Sequence, residues 1–559
     1  MTGADTLAAI EAVVDNAAVA PGLEVLLPVG VRPRQLSVRT LLVGIMLAFS
    51  DGRAAHLSRV HAALRALGED EQKRLGVLVH WKGGPHRLTY RQVERTFGLL
   101  VDALSKEHPD GTPTEQLQGF VDTLVEASIP AAYKDATAAL AVDWTDVESF
   151  ARPPIPASSG SKKAKADQSG TDAKDTDAKD TEAKDTDAKD TEAKDTEAKD
   201  TEAKDTDAGD TQADDGRPSA DPEASWGHRR GDGPGQKDEK FYGDFLQLAT
   251  MVREEGGPAV PELVRRMLAT SCHVDPPPAF AAVLENMVKS GIPLGDVLND
   301  SGYSHRVPAH WALRMRALGA DLVMDLHRHD RGTQGTHHGA ICFNGSLYCP
   351  STPNGLFTLE PLSRGASAEE IAAHDVRSAE LARFKMGVVS SDDADGFHRV
   401  ACPAVLGKVR CPQRAASMAL SAQRPEITSV PKEPPTCCTQ KTLTVPPSVN
   451  AKTRQKHDYP SRAHRLSYGR RSAAERSNST VKDPASNDIS RGWCRLMGLT
   501  SMTLMLTCLF VVRNQRILAS FEARVAEDQR RLALGLAPRT RRRRRQSITD
   551  LLEASAAPP

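Results

Sequence analysis

The chain has 559 residues, a formal net charge of -1 and only 4% aromatic residues. At roughly 150 residues per domain, this length predicts several folded units and excludes a single small domain. Nine Cys residues in so long a chain exclude a small disulfide-rich scaffold and favour a reducing cytoplasm. The start, "MTGADTLAAIEAVV", lacks a basic stretch followed by a long apolar run, so we expect no secretory signal.

Residues 1–110 predict a helical domain. Three segments, "TLLVGIMLAFS", "AAHLSRVHAALRAL" and "LTYRQVERTFGLLVDALS", place apolar residues at three- and four-residue intervals. Thr89 followed by Gln92 is a capping-box pattern that opens the third helix. The many Arg and Lys residues here favour DNA binding. The alternative is an ordinary helical domain whose Arg side chains face solvent.

An acidic repeat lies in the segment 153–223. The pentad T-(D/E)-A-K-D runs from Thr171 to Asp205, and each copy carries two acids and one Lys. No apolar side chain larger than Ala occurs in it, so its burial cannot offset the entropy of ordering the chain. We interpret this segment as a disordered insertion without chemistry of its own.

Strands and helices alternate on both sides of that insertion, in the segments 130–152 and 224–330. Predicted strands are "ATAALAV" ending in Asp143, "ASWGHRR", "KFYGDFLQLATMV", "GDVLN" ending in Asp300 and "ADLVMDLHRHD". Predicted helices are "VPELVRRMLATS", "PPPAFAAVLENMVKSG" and "PAHWALRMRALG". This alternation indicates an α/β domain. Carboxylates at strand ends can project into a cleft, although Asp is also common in ordinary loops.

Residues 331–459 form a region rich in Pro, Gly and Cys that interrupts the α/β domain. Its thiols suggest a zinc site made by Cys349, Cys402, Cys411 and either Cys437 or Cys438. The spacing departs from Cys-x-x-Cys, so buried, reduced cysteines are the alternative. The His-rich "DLHRHDRGTQGTHHG" has the density of His typical of a metal site, but it lies at a loop, so we favour a loop without a metal.

The α/β domain resumes over 460–525 with "SYGRRSAAERSNSTVKDP". On one helix, Tyr468, Arg471, Glu475 and Lys482 would fall within an arc of roughly 60°. Such a face combines a carboxylate, suited to a divalent metal, with cations suited to phosphate. The alternative is a solvated face with helical charge pairing.

The last part of the chain contains an apolar run and a basic tail. Residues 496–512 carry no charge over a length at the lower limit for a membrane span. We favour a buried core helix, because Ser, Thr and Gly interrupt the run and a charged helix continues from it. Within 526–559, the run "RTRRRRRQS" should bind polyanions without sequence preference.

Together these motifs resemble those of DDE transposases from bacterial insertion sequences of the actinobacterial type. The signature is Y-x-x-R-x-x-x-E-x-x-x-x-x-x-K at Tyr468 to Lys482. "VLNDSGYS" is similar to the second-Asp motif of that family, with one additional Ser after the Asp. "AVDWTDVESF" is similar to the first-Asp motif. The resemblance covers about residues 36–525 apart from the repeat.

The resemblance implies a ribonuclease H-like catalytic domain in which Asp143, Asp300 and Glu475 hold two Mg²⁺ or Mn²⁺ ions. Asp146 competes with Asp143 for the first position. Two metals can activate an attacking hydroxyl and stabilise the leaving oxygen.

The family also implies further contacts and partners. Tyr468, Arg471 and Lys482 would contact the DNA backbone. The implied partners are double-stranded DNA, as transposon ends and target, and a second copy of the chain on that DNA. The implied location is the bacterial cytoplasm, at the nucleoid and not at a membrane. Two other hypotheses remain open: a catalytically inactive or repurposed DNA-binding protein, and a membrane-anchored protein.

Overall fold

The structure is a computed structural model. It describes residues 3–29, 34–52, 54–81, 83–105, 111–155, 217–229, 238–363, 365–483 and 488–539. Contacts divide the chain into one unit of Met1–Arg152 and Ala220–Pro559 and a second unit of Pro153–Ser219. In the second unit, Ile155 and Arg217 form an isolated antiparallel bridge. The acidic repeat at 171–205 and the tail beyond residue 539 lie outside the described residues.

The N-terminal part of the first unit is mainly helical, with one hairpin. Its helices are α1 (Gly3–Ala17), α2 (Val19–Leu26), α3 (Val38–Ser50), α4 (Leu57–Arg65), α5 (Glu69–Arg74), α6 (Tyr90–Leu104), α7 (Glu115–Ala127) and α8 (Ala131–Lys134). The hairpin consists of β1 (Leu78–Trp81) and β2 (Gly84–Arg87). The predicted capping box is confirmed, since Gln92 Oε1 accepts a hydrogen bond from Thr89 N at 2.8 Å. The hairpin was not expected from the sequence.

A mixed sheet forms the centre of the first unit. Its strands are β3 (Leu140–Glu148), β4 (Ser225–Arg229), β5 (Glu239–Met251), β6 (Val264–Ser271), β7 (Asp296–Asn299) and β8 (Asp321–Met324). One edge of β5 pairs with β3, and the other pairs first with β4 and then with β6, all antiparallel. β7 is parallel to both β3 and β8. The α/β prediction is therefore confirmed at the level of mixed helices and sheets.

Short helical elements connect these strands. They are α9 (Pro276–Lys289), α10 (Ser301–Ser304), a 3₁₀ turn at Pro308–His310, α11 (Ala312–Ala317) and a 3₁₀ turn at Arg328–Asp330. The predicted helix in "PPPAFAAVLENMVKSG" is confirmed by α9, which opens with prolines in its first turn.

Two local predictions are wrong. "VPELVRRMLATS" was expected to be a helix, yet its second part is strand β6, buried at every position. Its adjacent Arg265 and Arg266 can be buried because Glu126 of α7 bonds both guanidinium groups, at 3.0 and 2.7 Å. β3 does not end at Asp143 but continues to Glu148, because its pairing with β5 continues to that residue.

The Cys-rich region contains two small sheets and short helices. Its elements are β9 (Thr333–His337), β10 (Ala340–Phe343), β11 (Ser346–Tyr348), a 3₁₀ turn at Asn354–Thr358, α12 (Ala368–Arg383), β12 (Gly387–Val388), β13 (His398–Ala401), α13 (Ala415–Met418), α14 (Thr436–Thr439) and β14 (Thr442–Val445). The strand orders are β11–β10–β9 and β12–β13–β14.

The C-terminal part consists of helices that return to the sheet. They are α15 (Arg462–Tyr468), a 3₁₀ turn at Gly469–Arg471, α16 (Ser472–Val481) and α17 (Leu499–Ala533). The single helix expected from Tyr468 to Lys482 is therefore wrong, because the 3₁₀ turn separates Tyr468 from α16.

Helix α17 is long and apolar enough to cross a membrane, as the bent pair α1–α2 also is if it counts as one span. However, 67% of the apolar window of α17 is buried inside the protein. One hydrophobic core joins this helix to α1, α3, α6, α7 and part of the sheet. This burial agrees with the expected core helix. The domain boundary predicted near residue 110 lies inside the first unit.

Candidate active site

Asp143 lies where the central strand leaves its parallel neighbour. Leu140 and Ala141 of β3 pair with β7, and Asp143 comes two residues later. Its side chain is 13% exposed. Oδ1 accepts a hydrogen bond from Trp144 N at 3.0 Å, and Oδ2 accepts one from Asn478 Nδ2 of α16 at 3.1 Å. The carboxylate is thus fixed by its own strand and by the helix that crosses it.

Asp300 follows β7 directly and caps α10. Its Oδ1 accepts a hydrogen bond from Gly302 N at 2.9 Å, which satisfies one of the free N–H groups at the helix start. Residue 302 must be small here, since a Cβ atom on Gly302 would lie 2.4 Å from the Trp144 ring. This close approach brings the second Asp next to the strand that carries the first.

Glu475 lies in the first turn of α16, and its side chain is 57% exposed. Its Oε1 accepts a hydrogen bond from Arg471 Nη1 at 2.7 Å, four residues earlier in the chain. Arg471 and Glu475 therefore contact each other as residues four apart on a helix do, although the backbone changes from 3₁₀ to α between them.

Arg471 is the group on which the carboxylates converge. Its Nη2 lies 3.4 Å from Asp143 Oδ2 and 3.6 Å from Asp300 Oδ2, in addition to the Glu475 contact. The side chain is 11% exposed, and Nε is buried without a hydrogen-bond partner among the described residues. The structure thus brings together Asp143, Asp300, Glu475 and Arg471 from the predicted set.

Charge and burial oppose each other at Asp143. Burial raises the pKa of Asp143 to about 6, although the Arg471 guanidinium lowers it, and the charges of Asp300 and Glu475 raise it further. Burial alone would lower the pKa of Arg471, but Tyr468 and the three carboxylates raise it overall. Asp143 is therefore a carboxylate whose ionisation is only partly compensated by the protein.

The negative charge of Asp146 is compensated by two cations. Arg229 Nη2 lies 2.5 Å from its Oδ2, and Lys482 Nζ lies 2.7 Å from its Oδ1. Burial would raise the pKa of Asp146, yet these two cations lower it overall. Of the two candidates for the first position, Asp143 is thus the one that still lacks a full counter-charge.

The remaining predicted residues lie close to this cluster but differ in surroundings. The Tyr468 ring stacks on His464, with centroids 5.5 Å apart, and burial raises the pKa of its phenol. Arg471 lies 6.0 Å from the centre of the same ring. Lys482 is engaged by Asp146 rather than by Glu475.

A cleft of about 690 Å³ opens next to the carboxylates. Acidic and basic side chains share its lining, namely Asp143, Asp146, Asp300, His228, Arg229, His305, Arg306, His327 and Lys482. The sequence interpretation missed Arg229 and Asn478. The sequence could have indicated Asn478, because it lies three residues after Glu475 on the same helix α16. No sequence pattern indicates Arg229, which lies on β4, far from Asp146 along the chain.

All five cysteines proposed for zinc are buried and free of disulfides. Burial raises the pKa of Cys349 to about 12, and the neighbouring thiols of Cys402, Cys438 and Cys411 contribute to that rise. Cys437 Sγ lies 4.0 Å from Cys438 Sγ. Among the described residues, however, no three of these sulfur atoms lie within 4.8 Å of one another. The zinc site stays a prediction.

The carboxylates of the cluster are also too far apart to share one ion as they stand. In the described part of the chain, no three oxygens from Asp143, Asp300 and Glu475 lie within 4.8 Å of one another, because each carboxylate faces Arg471 instead. The one group of described residues that meets the criterion is His305, His327 and Asp330.

Comparison with known proteins adds no relative. A scan against protein-family models found no match, and neither a search of curated proteins nor one of solved structures found any.

Proposed function

We propose that the chain is a DDE-type transposase that transfers DNA phosphoryl groups in the presence of a divalent metal. The observation that carries this proposal is the convergence of Asp143, Asp300 and Glu475 on one guanidinium group, that of Arg471. The three carboxylates come from three separate elements, β3, the end of β7 and α16. Placing three carboxylates around one position is costly for a protein, since like charges repel each other, and Asp143 bears most of this cost because it is buried.

The strand order supports a ribonuclease H-like fold for the catalytic part. Three antiparallel strands, β6, β5 and β3, are followed by the parallel strands β7 and β8. Helix α16 packs on β3 and β5, so that its Glu475 lies on the same side as the two aspartates. The proposed two-metal site requires these three carboxylates to lie together in this way.

The donor set fits Mg²⁺ or Mn²⁺. Both ions prefer oxygen ligands, and Asp143, Asp300 and Glu475 offer carboxylate oxygens around a position now held by a cation. When bound, two such ions would activate an attacking water or 3′-hydroxyl and stabilise the leaving oxygen. The incomplete compensation of Asp143 favours the binding of further positive charge at this point.

Within the protein, Arg471 has two tasks in this proposal. It compensates the carboxylates while the site lacks metal, and it is placed to donate hydrogen bonds to a DNA phosphate once they are otherwise occupied. Asp146 holds Lys482 and Arg229 beside the same cleft, where their charges can attract the backbone. The ring of Tyr468 lies against the Arg471 guanidinium and helps to hold it in place.

The proposed partners follow from the same chemistry. Double-stranded DNA suits the cationic side chains that share the cleft lining with the carboxylates. End cleavage followed by joining suits a dimer with one site on each end. The cytoplasmic location of the nucleoid fits such a substrate. DNA binding by the N-terminal helices remains a proposal as well, although Arg39 and Arg74 are both engaged by Glu11.

The test is nicking of supercoiled DNA that carries the sequences flanking the gene, with Mg²⁺ or Mn²⁺ added. We expect Asp143→Asn, Asp300→Asn and Glu475→Gln each to abolish nicking and strand transfer. Glu262→Gln is the matched control, because Glu262 pairs with Arg476 of the same helix α16 but does not contact Arg471. Full nicking by all three variants would overturn the proposal.

A transposase-derived DNA-binding protein without catalysis is the second candidate. One observation favours it, namely that the Arg471 guanidinium already lies between the carboxylates, at the position where a metal would bind. Mn²⁺ binding separates the candidates. A catalytic site should bind Mn²⁺ in the wild-type protein and lose that binding in Asp300→Asn. An inactive site should bind no Mn²⁺ until Arg471 is replaced by Gln.

A further inference from the structure

A second cluster of metal-ligating side chains lies beside the cleft. His305 follows α10, Asp330 ends the 3₁₀ turn that follows β8, and His327 directly precedes that turn. One nitrogen from each imidazole and one oxygen from the carboxylate all lie within 4.8 Å of one another. The rings of His305 and His327 are 4.2 Å apart, between centroids.

We infer that His305, His327 and Asp330 form a binding site for a transition metal of the Zn²⁺ type. Two imidazoles and one carboxylate are a ligand set typical of zinc sites that keep one position open. Imidazole ligands favour zinc and related transition metals over Mg²⁺. The set is thus chemically distinct from Asp143, Asp300 and Glu475, which offer only oxygens.

The distances are compatible with one ion after a small closure. Tetrahedral zinc with bonds of about 2.0–2.1 Å places its ligand atoms roughly 3.3 Å apart. Here the limit is 4.8 Å, so shifts on the order of 1 Å would complete the site. His305 is exposed and free to make such a shift, whereas His327 and Asp330 are half-buried.

An oxygen of Asp330 supplies independent support. Its Oδ1 accepts a hydrogen bond from Lys452 Nζ at 3.0 Å. Its Oδ2 is buried and has no hydrogen-bond partner among the described residues. A buried carboxylate oxygen is normally satisfied, and a bound cation would satisfy this one.

The position of the cluster suggests what the metal would do. His305 and His327 line the cleft that also contains Asp143 and Asp300. His305 lies shortly after the second Asp, while Asp330 immediately precedes the Cys-rich region at 331–459. An ion there would link the turn at the start of that region to His305, which lies beside the cleft after α10. This inference does not depend on phosphoryl transfer.

The experiment is equilibrium dialysis of the full chain against Zn²⁺, with metal content measured by mass spectrometry. We expect His305→Ala and Asp330→Asn each to hold about one zinc equivalent less than the wild-type protein. His329→Ala is the matched control, because His329 lies in the same turn but outside the cluster, and it should retain the wild-type content. Equal zinc content in all four proteins would overturn the inference.

Cobalt substitution distinguishes this site from the cysteines. With Co²⁺, the equivalent lost in His305→Ala should carry visible d–d absorption without the near-ultraviolet thiolate charge-transfer band. If the lost equivalent carries the thiolate band, the metal is bound by cysteines and the inference is wrong. Circular dichroism of Asp330→Asn, which preserves the side-chain shape, checks that the loss is not caused by unfolding.

Discussion

Replacing Asp143 by Asn should stabilise the metal-free protein. The pKa of Asp143 is about 6 in the folded chain, against 3.8 for an unperturbed Asp. The folded state therefore holds its proton to higher pH than the unfolded state. Stability is lost as the pH rises from about 4 to about 6, and a shift of roughly two pKa units corresponds to about 3 kcal/mol.

Asn mimics the protonated side chain and avoids this cost. Its Oδ1 can still accept the bond from Trp144 N. Asn478 now donates its Nδ2 to Asp143, so a flip of the Asn478 amide is needed before the new amide can donate to Asn478 Oδ1, which is buried without a partner among the described residues. We expect Asp143→Asn to raise the free energy of unfolding at pH 7.5 by about 1–3 kcal/mol in EDTA. The gain should fall below about 1 kcal/mol at pH 4.

Urea denaturation of both proteins, followed by circular dichroism at each pH, measures this difference. Addition of Mg²⁺ should stabilise the wild-type protein but not Asp143→Asn, because a ligand stabilises the state that binds it. A variant that is less stable than the wild type at pH 7.5 in EDTA would refute the reasoning. That result would mean that attraction to Arg471 outweighs the burial of Asp143.

The remaining predictions concern other contacts of the same unit. Arg471→Gln should lower metal-free stability by about 2–4 kcal/mol, since the carboxylates lose their counter-charge, and Mg²⁺ should restore part of it in denaturation experiments. Gly302→Ala should cost about 1–3 kcal/mol by overpacking against Trp144 and should weaken Mn²⁺ binding measured by calorimetry. Asn514→Ala should cost about 2–4 kcal/mol, because its buried amide bonds both backbone groups of Val264. Unchanged unfolding midpoints would contradict each of the three.

The sequence predicted the carboxylates of the site better than the backbone that holds them. Asp143 and Asp300 were recognised because apolar residues precede each of them in a short strand. Glu475 was placed on a helix that in fact begins only at Ser472, after the 3₁₀ turn. Arg471 and Glu475 still lie on one face, as expected, because they are four residues apart and the backbone stays helical between them.

The sequence could not predict which charged residues pair when they lie far apart along the chain. Strand β6 carries apolar residues at spacings that also suit a helix, and two adjacent arginines there seemed to need solvent. Their partner, Glu126, lies about 140 residues earlier, at a separation given by the fold. Likewise, Arg229 of β4 compensates the charge of Asp146, but the acidic insertion separates the two residues in the sequence.

A crystal structure of the protein soaked in Mn²⁺ tests the central claim most directly, through anomalous scattering of the ion. We predict manganese peaks among Asp143, Asp300 and Glu475, with the Arg471 guanidinium moved away from all three carboxylates. A structure without manganese at this position, in which Arg471 keeps its contacts to Asp143 and Glu475 at saturating Mn²⁺, would contradict the account.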